Sequence, residues 1–223
     1  MKPKCGKGPP SLAALLALIA EEQPAGLHLL DVGCGTGDLT IPAAALAGHV
    51  TGIDRDEAAV DEAGDRSRRE GVANVTFLLG DAEEAPYETL LPEAEVDMVV
   101  AYLCMSDAIV ARTAVALRAG RCLIFACFHT DHWRETGVVS RFAYDEERLR
   151  AVLEHHDLGV EFLAVEQEVR YFASSAEARR HIESSTLKEK FRRSARWENL
   201  EEFYRGGGRT FTRSICVAKA RKR

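Results

Sequence analysis

The sequence has no run of the roughly 18 consecutive apolar residues that a membrane-crossing helix needs. It also has no C-x-x-C pair. The six cysteines are scattered, at Cys5, Cys34, Cys104, Cys122, Cys127 and Cys216. Without paired spacing, a zinc site or a redox dithiol is not expected, so no metal is assigned. Free cysteines suit a reducing compartment, and a cytoplasmic protein with no membrane partner is the expectation. Internal repeats and long linkers are missing. At 223 residues and 46% hydrophobic, the chain can bury one sizeable core, most simply as one domain with an insertion.

The amino-terminal segment imitates a secretion signal. Lys2, Lys4 and Lys7 precede "SLAALLALIA". No A-x-A cleavage site follows, and Leu12, Leu15, Leu16 and Ile19 recur at helical spacing on one face. We read an amphipathic helix capped by Ser11, after about ten loose residues. Charge is unevenly placed. Residues 1–169 hold 14 basic and 29 acidic side chains, a net of −15; residues 170–223 hold 15 and 6, a net of +9. The basic end reads as an anion-binding region or as a solvated helix face with a "KARKR" tail.

The densest signal is "LLDVGCGTGDLT", Leu29 to Thr40. A short apolar run precedes it, and a helical stretch with Asp38 as a candidate cap follows it and ends at Gly48. Glycines at alternate positions permit unusual backbone angles and close approach of a ligand to the main chain. A dinucleotide fingerprint would be G-x-G-x-x-G, but here the third glycine comes one residue early and Asp38 takes its place. An ordinary tight turn is the plain alternative. The rest of the chain keeps a strand–helix rhythm. Strands are expected at 49–54, 75–81, 96–103, 121–128 and 160–172. Helices are expected at 56–70, 108–116 and 145–157. Two helical stretches lie between 176 and 204, before a final strand from Thr210. Such alternation implies a doubly wound, mostly parallel α/β sheet with helices on both faces.

Asp31, Gly33, Gly35 and Gly37 resemble the first motif of the class I S-adenosylmethionine-dependent methyltransferases: an acid, any residue, then G-x-G-x-G. The resemblance covers residues 27–128 well and the remainder in outline. It implies seven strands with the last antiparallel between two parallel neighbours. It further implies S-adenosylmethionine as cofactor and S-adenosylhomocysteine as product. The expected cofactor residues are Asp31 for the methionine amino group; Gly33, Cys34, Gly35 and Gly37 in the loop; Asp54 for the ribose hydroxyls; Asp81 and Ala82 near adenine; and Ala101 on the fourth strand. Asp54 and Asp81 end the second and third strands, where ligands of doubly wound sheets bind. Arg55 either covers the adenine edge or is solvated. The organisation expected is an amino-terminal helix (1–26), a cofactor-binding core (27–172), a helical insertion (173–209) and a final strand with a basic tail (210–223).

The acceptor is less legible. "AYLCMS" lacks the N/D-P-P-Y motif of adenine- or glutamine-methylating enzymes and the Pro-Cys of cytosine carbon-5 enzymes. Cys104 is therefore expected to be a wall residue. "FHTDHW" offers His129, Asp131 or His132 as a general base, or as plain rim residues. Tyr102 is a candidate for orienting the acceptor. "RGGGRT" is an anion nest or a simple helix-to-strand turn, with Arg205 and Arg209 as candidate substrate contacts. The insertion is a lid selecting an anionic acceptor, or a packed helical cap. The expected function is methyl transfer to a small anionic metabolite, with no nucleic-acid partner. The alternatives are methylation of RNA or protein, and a non-catalytic cofactor-binding module.

Overall fold

The computed structural model describes residues 10–87, 96–185 and 187–223. Lys2, Lys4, Cys5 and Lys7 lie outside the described residues. Two compact units are present: Met1–Cys127 with Glu146–Ala164 and Val217–Arg223, and Phe128–Asp145 with Val165–Cys216.

The first unit carries the doubly wound sheet. Its strands are β1 (His28–Val32), β2 (His49–Asp54), β3 (Val75–Leu79), β4 (Met98–Tyr102), β5 (Cys122–His129), β7 (Leu158–Tyr171) and β8 (Thr210–Lys222). The order is β3-β2-β1-β4-β5-β8-β7. β1 pairs in parallel with β2 and β4, and β8 is the antiparallel strand. Chain order reverses at β1, so β1 and β4 flank the switch point where ligands of such sheets bind. β1, β2, β4 and the first part of β5 are almost wholly buried. That is why β4 and the first part of β5 read as continuous apolar runs. An eighth strand absent from the sequence reading, β6 (Ala143–Tyr144), pairs in parallel with Phe128 and His129.

The helices of this unit are α1 (Pro10–Glu21), α2 (Thr40–Ala44), α3 (Glu57–Glu70), α4 (Asp107–Ala116) and α5 (Glu146–His155). α3 has the start and stop that its sequence predicts. Asp56 accepts from the N–H groups of Ala58 and Ala59, and Gly71 closes the helix at φ +70°. Two expected caps are not caps. α1 begins at Pro10, whose missing N–H and fixed φ suit the first helical position. Ser11 therefore lies inside the first turn and is buried with Leu15, Leu18 and Ile19. α2 begins later than expected, at Thr40, with no side-chain cap. Asp38 instead pairs with Arg66 at 2.7 Å.

The second unit holds β6, a 3-10 turn (Arg134–Thr136), the outer parts of β7 and β8, and the helices α6 (Ser175–Glu183), α7 (Leu187–Arg192) and α8 (Arg196–Arg205). It has its own core: Ala178, Ile182, Phe191, Leu200 and Tyr204, packed against Trp133, Phe172, Trp197 and Phe211. Buried Glu135 accepts from the Thr212 N–H at 3.0 Å and from its hydroxyl at 2.6 Å, fixing the 3-10 turn to β8. The insertion thus has a packed interior and a basic exterior. "RGGGRT" is the turn between α8 and β8, and a Cβ at Gly208 would strike the Phe203 ring at 2.3 Å.

Candidate active site: a glycine loop and a cationic cluster

In the first unit, the glycine loop folds back over the end of β2. The Gly33 and Cys34 N–H groups both donate to the Ile53 carbonyl, at 2.8 and 3.0 Å. The Gly35 N–H donates to Asp54 Oδ2 at 2.8 Å, and the Asp56 N–H donates to Oδ1 at 3.0 Å. Asp54 is thereby aimed by two amides, and each oxygen keeps a lone pair for a further donor. The three glycines, all at positive φ, are glycine for different reasons. A Cβ at Gly33 would meet Cys104 Sγ at 2.2 Å, and one at Gly37 would meet Ile41 Cδ1 at 3.1 Å. At Gly35, φ +50°, nothing lies within 4 Å of that position. The open space the motif calls for is therefore at Gly35.

Asp31 is fully buried. Its Oδ2 accepts the Thr40 hydroxyl at 2.6 Å. Its Oδ1 has no partner among the described residues. Burial raises the carboxyl to about 7; the Thr40 bond opposes the rise and the Asp54 charge adds to it. Thr40 was not singled out in the sequence, because only the return of α2 against β1 gives it a role. Arg55 reaches across to Asp81 at 3.7 Å, both side chains partly exposed. Asp81 also accepts the Glu83 N–H at 2.8 Å. The next residue, Ala82, has its carbonyl held by the buried Tyr87 hydroxyl at 2.6 Å.

β4 ends in three residues of different character. Ala101 is buried in the strand, whereas Tyr102 is half-buried with its hydroxyl 3.4 Å from Ser11 Oγ. Leu103 sits at φ +60°, a backbone region rarely used by such a side chain, and its N–H donates to Ala126 O at 2.7 Å. Cys104 packs on Gly33, and burial pushes its thiol up to about 12. A neutral, half-buried thiol of this kind is a poor nucleophile.

In the second unit, His129 ends β5 and Asp131 and His132 lie in the turn after it, so the H-x-x-H pair is not on a helix. His129 Nδ1 accepts the Asp131 N–H at 3.1 Å, and Asp131 Oδ2 accepts the Gln167 amide at 3.1 Å. His132 is held inward: Nδ1 meets the Ser214 backbone at 3.1 Å, and its ring packs against Phe128 and Trp133. Burial first, with the charges of Arg213, Lys190 and Arg196, lowers His132 to about 4. Lys190 Nζ lies 5.0 Å above the Trp133 ring. Arg205 closes α8 and Arg209 precedes β8; both side chains are exposed.

A family model described as a methyltransferase domain matches residues 24–190. The YcgJ protein of Bacillus subtilis superposes with a TM-score of 0.69 at 14% identity, over 94% of this chain and 98% of that one. Magnesium protoporphyrin IX methyltransferase from Synechocystis, with bound S-adenosylhomocysteine, superposes with a TM-score of 0.62 at 18% identity, over 95% and 82% of the two chains. A curated relative, the 23S rRNA (uracil(1939)-C(5))-methyltransferase RlmD of Klebsiella pneumoniae, is 39% identical over 57 residues. That match spans 26% of this chain and 13% of the relative's length. A glycine loop at the switch point, in a sheet of this order and under a family match that runs from before β1 into α7, has one reading: the chain belongs to the class I S-adenosylmethionine-dependent methyltransferases.

Proposed function

We propose that this S-adenosylmethionine-dependent methyltransferase acts on a small anionic metabolite, and that residues 173–209 select it. The observation that carries this reading is the placing of Lys190 Nζ 5.0 Å from the Trp133 ring and 6.0 Å from the Phe128 ring, with Arg213 and Arg196 near enough to act with it on His132. Lys190 over Trp133 adds a flat apolar surface beneath a cation, which suits a planar carboxylate or phenolate. Arg205 and Arg209 supply further forked donors.

The chain's own groups fit the cofactor. The unpartnered Asp31 Oδ1 suits an ammonium, and Asp54 keeps acceptor capacity for two ribose hydroxyls. Gly35 leaves the main chain open, Asp81 and Ala82 would hold the adenine, and Ala101 would line the methyl end. Bound there, the cofactor supplies a methyl group already activated by its sulfonium. What remains for the protein is alignment of the acceptor and exclusion of water. Tyr102, held by Ser11, orients the acceptor. His129, whose Nδ1 accepts the Asp131 N–H, carries its proton on Nε2 and can donate there to an anionic acceptor; it takes a proton from an acceptor only through Nδ1, once that contact is released. His132, lowered to about 4 and locked on Ser214, serves as scaffold rather than base.

Methyl-labelled S-adenosylmethionine incubated with small carboxylates and phenolates, ribosomal RNA and ribosomal proteins tests this. Label in a small acid, with a Michaelis constant raised by Lys190→Ala or Arg213→Ala, is expected. Label confined to RNA or protein overturns the small-acceptor reading. Cofactor binding with no turnover on any acceptor supports the non-catalytic module instead.

A further inference from the structure

The most unusual charge in the first unit is one that has no counter-charge. Asp31 is fully buried on β1, with one oxygen bonded to the Thr40 hydroxyl and the other to nothing among the described residues. The titratable groups that face it are all acidic. β2 contributes Asp54, the glycine loop Cys34, and the segment after β4 Cys104. Both thiols are held neutral by burial. α2 contributes no charge, only the hydroxyl and the backbone N–H of Thr40, both of which favour the ionised form. Arg55 and Glu83 act on Cys104 from further out, and Arg55 is turned to Asp81. An ionised carboxylate in this position is desolvated, beside a second carboxylate, and paired with no cation. All three circumstances favour its protonated form.

We propose that Asp31 carries a proton in the ligand-free enzyme and releases it to solvent as the α-ammonium of the cofactor docks on Oδ1, so that cofactor binding is coupled to proton release and selects ligands with a charged amino group. This rests on the reading that Asp31 takes the cofactor's amino end. The balance is simple. The Asp31 O–H bond breaks, its proton passes to buffer, and the incoming ammonium keeps its three protons and supplies the missing counter-charge. Thr40 keeps its bond to Oδ2 throughout and favours the ionised form.

A carboxyl near 7 in the free protein fixes where the coupling acts. Below that pH the binding-competent ionised form is a minority, and apparent affinity falls with its fraction. At higher pH the ligand's own amino group loses its proton, its value lying above the roughly 7.7–8.0 of a chain terminus because its neighbour is an ionised carboxylate. Affinity should therefore peak between these limits.

The test uses S-adenosylhomocysteine, which has the amino-acid end without the sulfonium, and methylthioadenosine, which lacks that end. Titration calorimetry in two buffers of different ionisation enthalpy counts protons released. At pH 6 we expect close to one proton per site with S-adenosylhomocysteine and none with methylthioadenosine. S-adenosylhomocysteine should bind roughly fivefold tighter at pH 7 than at pH 6. Asp31→Asn should lose both the proton and the pH slope and bind at least tenfold more weakly at pH 7.5. Thr40→Val, which removes only the favouring hydroxyl, should move proton release to higher pH. If wild-type enzyme binds S-adenosylhomocysteine at pH 6 without releasing a proton, or Thr40→Val leaves the midpoint in place, the coupling is wrong. If folded Asp31→Asn binds as tightly as wild type, the amino-group contact is wrong as well, and the cofactor reading must be redrawn.

Discussion

A Cβ at Gly33 would sit 2.2 Å from the Cys104 sulfur, whereas one at Gly35 would meet nothing within 4 Å. Both residues have positive φ, which costs a side chain roughly 1–2 kcal/mol. The difference lies in what fills the space. Gly33→Ala should lower the thermal midpoint well beyond that backbone cost, because the Cys104 segment must move. Gly35→Val should lose cofactor binding with only the backbone penalty in stability. Thermal unfolding and titration calorimetry on the two variants separate the effects; a Gly35→Val protein that still binds S-adenosylhomocysteine at full strength would contradict the pocket. Asp54 is the companion case. Hydrogen bonds to a charged group contribute roughly 1.5–3 kcal/mol, so Asp54→Ala should weaken cofactor binding at least tenfold. Since Asp54 also holds the Gly35 N–H, the variant loop should become more sensitive to proteolysis. An unchanged dissociation constant would place the ribose elsewhere.

Among the helices, two aspartates with similar local sequence signals take different work. Asp56 bonds two N–H groups at the start of α3, at 3.1 and 3.3 Å. Asp38 caps nothing and makes an ion pair with its side chain 63% exposed. Loss of an N-cap costs typically about 1 kcal/mol, and exposed pairs contribute about 0–1 kcal/mol. Chemical denaturation should therefore rank Asp56→Ala as clearly more destabilising than Asp38→Ala; the reverse order would mean that the Arg66 tie to the glycine loop matters more than its exposure suggests. α1 shows a second element-scale effect. Glu22, just past its end, accepts from Lys219 and Arg221 of β8, and Arg221 also holds Glu161 of β7. The Arg221 hydrogen bond above all, and then Lys219, lower the Glu22 carboxyl from 4.5 to about 2. A lowered value stabilises the fold above the unfolded pKa, and that contribution is lost as pH falls from about 4.5 towards 2. Glu22→Gln should lower stability at pH 6 and converge with wild type near pH 2, as read by denaturant midpoints across that range.

At the scale of the whole molecule, Asp31 has the opposite sign. Its raised carboxyl makes the ligand-free fold lose stability as pH climbs from its unfolded value near 4 to about 7, after which the loss is complete. Asn at this position has no such dependence. The difference in thermal midpoint between Asp31→Asn and wild type should move in favour of the variant between pH 5 and pH 8. A pH-independent difference would mean that Asp31 is ionised throughout. The anionic acceptor has a salt signature of its own. Added salt should weaken acceptor binding while cofactor affinity hardly changes, because exposed arginines are screened and the buried Asp31 is not. No helix among the described residues is long and apolar enough to cross a membrane.

Much of this architecture is local information. Buried parallel strands need apolar runs, and α3 carries its cap at Asp56 and its stop at Gly71; these features need no partner to be recognised. The motif glycines and the acids at strand ends are legible for the same reason, as the switch point places them just after strands. The misjudged starts of α1 and α2 differ in origin: Pro10 is a local start signal just before Ser11, whereas Asp38 is drawn to a distant arginine. Asp38 is a good cap by residue type, but Arg66 lies 28 positions from it and arrives only with the tertiary fold. The same is true of the division of labour among the three glycines, of the strained Leu103, and of the isolation of Asp31. In sequence, Asp31 is one more acid beside a glycine loop. Its missing counter-charge exists only once β1 is buried, with Asp54 brought alongside and Thr40 folded back upon it. Residue order determined which groups stand at the rim of the sheet. Burial and packing decided which of them carry charge and which carry space, because desolvation and steric contact act between residues far apart in the chain.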